Sequence, residues 1–140
     1  MAVHLIRSAT LDSLTSEVPY AYAAVVDGGD LVLTAGACPL DDAGDVAPVG
    51  DLEGQAARVM ANLEAALVGA GSSLDQVAKS TVYVATSDRS DLVTVWNVVR
   101  AAFGDHDAPS TLLAVPVLGY PDQLVEVEAV AVRPAPPAAP

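Results

Sequence analysis

Near the C-terminus, Leu124 to Val132 reads as a long alternating strand that carries two carboxylates, and it constrains the fold more than any other stretch of the chain. In an extended strand Val125, Val127, Ala129 and Ala131 point to one side, and Leu124, Glu126, Glu128 and Val130 to the other, with Val132 also expected on that second, uncovered side. The first side is a ready-made sheet face for helices to cover. The second carries two carboxylates, and buried carboxylates without partners are costly. It therefore cannot close as an ordinary core. A face of this kind calls for a partner that leaves polar, water-accessible clefts.

The rest of the chain supplies the covering elements. His4–Arg7 reads as a short first strand, followed by a polar connection through Ser16. Ala21–Val26 and Leu31–Ala37 are β-rich runs around Asp27-Gly28-Gly29-Asp30, a hairpin signal because glycine supplies positive φ. Pro39–Gly50 is a loop. Asp51 fits a helix N-cap, with Leu52, Ala56, Val59, Met60, Leu63 and Leu67 recurring at helical spacing and a stop at Gly69-Ala70-Gly71. Ala78–Val84 reads as a strand. A second helix follows, capped between Ser87 and Asp91 and striped by Leu92, Val95, Trp96, Val99 and Phe103, with Gly104 at its end. Ser110–Val115 and Leu124–Val132 complete the order βββαβαββ. This is an α+β layer arrangement, a mixed sheet with two helices on one face. Residues 1–133 form one domain, and the Pro/Ala tail 134–140 has no periodic pattern and is expected to be disordered.

Charge and composition exclude several functions. Six basic residues face eighteen acidic ones, so neither a phosphate backbone nor an anionic membrane is an expected partner. Cys38 is alone, which suits a reducing compartment. The N-terminus lacks the features of a signal peptide, no apolar run approaches a spanning length, and a cytoplasmic location is expected. No metal-ligand spacing is present, His4 and His106 lie far apart, and no cofactor is expected.

Several motifs, in order, carry a resemblance. PYAYA at Pro19–Ala23, LTAGACPLD at Leu33–Asp41, the long stretch Gly50–Val84, FGDHDAPST and VEVEAVAV together resemble the RidA/YjgF (Rid) family of reactive-imine hydrolases, from about Val18 to Val132. The resemblance implies the Rid-type, chorismate-mutase-like fold and a homotrimer whose sheets form a central barrel. It also implies a small-molecule ligand in a cleft at each subunit interface. Tyr20 matches the tyrosine that closes the cleft, and Gly36 a glycine whose backbone approaches ligand. Glu126 matches the carboxylate that activates or positions water. Ser110 matches the serine after the family's substrate-gripping arginine, and Thr111 stands where a cysteine or threonine is common. Trp96 replaces a ligand-contacting asparagine, and Pro109 replaces the arginine itself. Tyr120 falls on a lengthened loop expected near the cleft mouth.

The missing arginine decides the functional expectation. A guanidinium holds a carboxylate through two parallel charge-assisted bonds, and neither Lys79, at the start of a strand, nor Arg100, on the polar side of the second helix, is an evident replacement. The leading expectation is a homotrimer binding a small, partly apolar metabolite in its clefts, without arginine-dependent deamination of 2-imino acids. A second is an imine or enamine hydrolase acting on a substrate without a carboxylate, with Glu126 as general base. A third is a structural or regulatory partner without ligand chemistry. Each residue also has a plain structural alternative: helix packing for Trp96, solvation or an interface charge for Glu126 and Glu128, a small buried hydrophobe for Cys38, loop capping for His106, turn packing for Tyr120. His4 and Tyr22 carry structural readings alone.

Overall fold

In the computed structural model, which describes residues 2–7 and 14–140, the elements follow the βββαβαββ order. They are β1 (Val3–Ile6), β2 (Ala23–Val26), β3 (Asp30–Leu33), α1 (Leu52–Gly69), β4 (Val77–Ala85), α2 (Arg89–Phe103), β5 (Ser110–Val115) and β6 (Val125–Arg133). Part of the polar connection after Arg7, residues 8–13, lies outside the described residues. No helix among the described residues is long and apolar enough to cross a membrane.

A four-stranded sheet in the order β3-β6-β4-β5 forms the centre, with β4 parallel to β5 and the other pairs antiparallel. The parallel step is made by α2, which carries the chain from β4 back to the start of β5, as a crossover connection must. On β6 the alternation holds: Val125, Val127, Ala129 and Ala131 are buried and Glu126, Glu128 and Val130 are half-buried. The inner residues join Ala56, Val59, Met60, Leu63 and Leu67 of α1 and Val95, Val99 and Phe103 of α2 in one core. Both helices thus lie on the same side of the sheet.

Local chemistry explains the helix ends. Asp51 caps α1 by accepting from the Gly54 backbone N–H at 2.9 Å, and Asp88 caps α2 by accepting from Ser90 at 2.8 Å. After α1 the left-handed turn falls at Gly71 (φ 78°), while Ala70 keeps a negative φ. Between Val77 and Lys79 a bulge shifts the register of β4 against β6, so Val77 and Ser80 both face inwards and Lys79, Thr81 and Tyr83 face the open side.

Three expectations need correction. The Asp27–Asp30 turn does contain two positive-φ glycines, but it does not join a paired hairpin. Strand β2 pairs with β1 in a separate two-stranded ribbon, whereas β3 pairs with β6, aided by the Asp30–Arg133 ion pair at 2.6 Å. The strand expected to run to Ala37 stops at Leu33, because Thr34 uses its hydroxyl as well as its N–H on Ala129 and the ladder resumes only at Ala37↔Val127. Val132, expected in the uncovered patch, is fully buried, with Gly29 close against it.

The open face is real nonetheless. Leu31 and Leu33 are 63% and 73% exposed and sit opposite Val132 and Val130 in register, and Leu113 on β5 is 43% exposed opposite Tyr83. Around them stand Lys79, Thr81, Tyr83, Glu126 and Glu128, a mixed apolar and charged surface on the side away from the helices.

Candidate functional site

Strand β5 is an edge of the sheet, and its first residues meet α2 and the segment before β2. The N-terminal segment is tied to the turn preceding β5: Ala21 N–H donates to Asp107 O at 2.9 Å, and Arg7 forms an ion pair with Asp107 at 2.7 Å. Tyr20 is thereby held over the start of β5, with its ring edge-on to Tyr22 at 6.0 Å. Trp96 reaches the same place from α2. The result is a cleft of about 360 Å³ lined by Tyr20, Trp96, Ser110, Thr111 and Leu112. Four of these are residues that the sequence singles out. Leu112 was missed because an apolar residue within a strand carries no signal of its own.

The cleft has apolar walls and few free polar groups. Ser110 Oγ is engaged, at 2.5 Å from Ser80 Oγ and donating to Ala108 O at 3.0 Å. Thr111 Oγ1 accepts from Lys79 Nζ at 2.6 Å. Trp96 packs on the core and also lines the cleft. Arg100 reaches only a narrow crevice behind it, shared with Trp96 and Ser110.

Pro109, named as a ligand position, does not line the cleft. It is buried, and its carbonyl accepts from Ser80 N–H at 3.0 Å, which fixes the entry of β5 beside β4. His106 has a structural partner too, with Nε2 2.7 Å from Val77 O. Tyr120 lies in a different groove, formed by Pro116–Leu124 and Ala85.

Glu126 and Gly36 form a second cluster. A Cβ on Gly36 would stand 2.1 Å from Glu126 Oε1, so glycine is required for the carboxylate to sit where it does. The thiol of Cys38 lies 3.5 Å from the same Oε1 and 3.6 Å from Gly36 O. Asn62 of α1 secures this turn by donating to Cys38 O at 2.8 Å and Leu40 O at 3.0 Å. Within the chain this cluster and the cleft are apart. Thr81 pairs with both Thr111 and Glu128, so Thr111 and the β6 carboxylates share the open face but lie on strands separated by β4, about 10 Å across two strand spacings. Further along, Tyr83 donates to Glu128 Oε1 at 2.7 Å, and that hydrogen bond holds the phenol pKa above its ordinary value.

Cys38 is half-buried and its thiol has a polar partner in Glu126. Burial first, then the charge of Glu126 and the hydrogen bond to it, push its thiol pKa up. Since the thiolate is the nucleophile, iodoacetamide is expected to alkylate Cys38 more slowly at neutral pH than a free thiol, with the rate still climbing above pH 9. Glu126→Gln removes the charge, lowers the thiol pKa and speeds the reaction. Alkylation at the free-thiol rate in the unmodified chain would contradict this arrangement.

The described residues thus form an α+β domain with an aromatic-walled cleft at a sheet edge and, apart from it, a carboxylate held on the open face. The comparisons with known proteins place this domain in a family. The family model described as Endoribonuclease L-PSP matches residues 10–133. A RutC family protein of Pyrococcus abyssi is 36% identical over 114 residues, covering 80% of this chain and 86% of the relative. A 2-iminobutanoate/2-iminopropanoate deaminase of Salmonella typhimurium is 36% identical over 115 residues, 80% of this chain and 87% of the relative. The crystal structure of YyfB, a Rid family protein of unknown function from Yersinia pestis, aligns with a TM-score of 0.85 at 25% identity, over 94% of this chain and 99% of that one. The chain belongs to the RidA/YjgF family.

Proposed function

We propose that this protein is a homotrimer that binds a small, partly apolar metabolite in clefts between subunits, without the arginine-dependent deamination of 2-imino acids. The observation that carries the reading is the cleft itself: Tyr20, Trp96, Ser110, Thr111 and Leu112 converge, while the residue before Ser110 is a buried proline. The uncovered sheet face supports the oligomer. Leu31, Leu33 and Leu113 beside Glu126 and Glu128 would be an unusual monomer surface, and closed cyclic packing shields the apolar groups while leaving room for wet carboxylates. Bringing a neighbour's Gly36–Glu126 cluster towards the cleft would also unite the two halves that lie apart in one protomer. The name of the matching family model refers to an endoribonuclease, but six basic residues against eighteen acidic ones argue against an RNA substrate here.

Trp96 is the only tryptophan in the sequence and lines the cleft, so its emission reports occupancy. Titration with short branched carboxylic acids and their amides is expected to change the emission saturably. The change is expected to vanish in Thr111→Tyr, which fills the cleft. An unresponsive wild-type protein contradicts the binding reading.

One observation favours a second reading. The Cys38 thiol donates to one oxygen of Glu126, and Gly36 leaves room for it, an arrangement suited to a general base that works on water through the other oxygen. The chain would then hydrolyse an imine or enamine that lacks a carboxylate. Glu126→Gln separates the two: hydrolysis of such a substrate ends while binding survives, and turnover unchanged by the substitution removes the role.

A further inference from the structure

Lys79 is the chain's only lysine, and it stands on the open face of a central strand hydrogen-bonded on both sides. Its Nζ donates to Thr111 Oγ1 at 2.6 Å, so the ammonium lies at the rim of the cleft that Thr111 lines. In a chain with eighteen acidic residues a lysine ordinarily finds a carboxylate. The ion pairs formed among the described residues are Arg7–Asp107 and Arg133–Asp30, and Lys79 is in neither. Glu128, which shares a depression with Lys79 and Thr81, instead accepts from Tyr83.

An ammonium has three donors, and the Thr111 bond uses one of them. The same bond occupies a lone pair of the Thr111 hydroxyl and leaves its O–H free to donate. Two groups that both need an acceptor therefore sit side by side at the rim. The other cleft hydroxyl, Ser110, is already engaged by Ser80 and Ala108. Apolar surface from Trp96 and Leu112 lies beyond them.

We propose that Lys79 and Thr111 form an anion anchor that takes the carboxylate of a small monoanionic ligand whose apolar part lies against Trp96 and Leu112. The proposal rests on the reading of the cleft as a ligand site and names the ligand class and a specificity-determining residue for it. A lysine is a point charge rather than a planar fork. It therefore selects for negative charge without imposing the two-bond geometry of a guanidinium.

Isovalerate and isovaleramide have nearly the same shape and differ in charge, and Trp96 emission reads the binding of each. The wild-type protein is expected to bind the acid about tenfold tighter than the amide. In Lys79→Met that preference is expected to disappear, and a saturable change in Trp96 emission with the amide shows that the cleft is intact. Equal affinity for both probes in the wild type, or an acid preference that survives in Lys79→Met, overturns the proposal and leaves the cleft standing. The second of these results together with a smaller assembly mass for Lys79→Met would place Lys79 in an ion pair with a neighbouring copy instead. Failure of both probes to alter Trp96 emission in the wild type removes the cleft reading and this anchor with it.

Discussion

2-Aminoacrylate generated enzymatically is expected to release pyruvate and ammonia about 100-fold or more slowly with this protein than with an arginine-bearing member of the family. Two parallel guanidinium–carboxylate bonds, each worth roughly 1.5–3 kcal/mol, fix the substrate in the orientation that the chemistry needs. Here the position before Ser110 is a proline whose only polar backbone group, its carbonyl, is spent on Ser80 N–H. It offers the ligand nothing. The Lys79 ammonium can restore charge but not the paired geometry, so part of the loss remains even where the carboxylate still binds. Residual turnover that falls further in Glu126→Gln would assign the carboxylate to water activation. A rate matching the arginine-bearing relative contradicts the proposed loss of this reaction.

Gln55→Leu is expected to destabilise the fold by about 3 kcal/mol, read as a lower denaturant midpoint with an unchanged slope. Gln55 sits on the inner stripe of α1 and is fully buried. Its Nε2 donates to Pro48 O and Asp122 O, both at 3.0 Å, and its Oε1 accepts from Leu124 N–H at 2.8 Å. One side chain thus satisfies three backbone groups on two loops, including the one that delivers the chain into β6. Leucine has similar volume, so the loss comes from unpaired polar groups rather than from a cavity. Gln123, also buried, accepts from Tyr120 N–H and donates to Val125 O within the same loop, and it cannot replace those bonds. A loss below about 0.5 kcal/mol, the size of an ordinary surface change, would show that the network is dispensable.

The periodic parts of the fold were legible because one cause acts along their whole length. The alternation on β6 and the stripes on both helices appear in the structure at the expected residues, and Asp51 caps α1 as its position suggests. The β2–β3 turn was misread for a physical reason. Two glycines permit a tight reversal, but which strand each neighbour pairs with is decided by distant segments, β1 for one and β6 for the other. Gln55 was invisible because a polar residue on an apolar stripe declares nothing about loop carbonyls that reach it from positions 48 and 122. Four of the residues named from the resemblance, Tyr20, Trp96, Ser110 and Thr111, line one cleft. The resemblance could not show Lys79 beside Thr111, since that contact arises from the register of β4 against β5. Nor could it show that Pro109 turns inwards and that Tyr120 belongs to another groove.

The open sheet face and the separation of the cleft from the Glu126 cluster are the grounds for the proposal that the working unit contains several copies of the chain. Leu31 and Leu33 are exposed on the face that carries Glu126 and Glu128, and the cleft at the β5 edge lies across β4 from those carboxylates. Light scattering coupled to size exclusion at micromolar concentration measures the mass of that unit directly. A value three times the 14.2 kDa chain mass is the expected result, and a value equal to the single-chain mass would contradict both the trimer and the inter-subunit site.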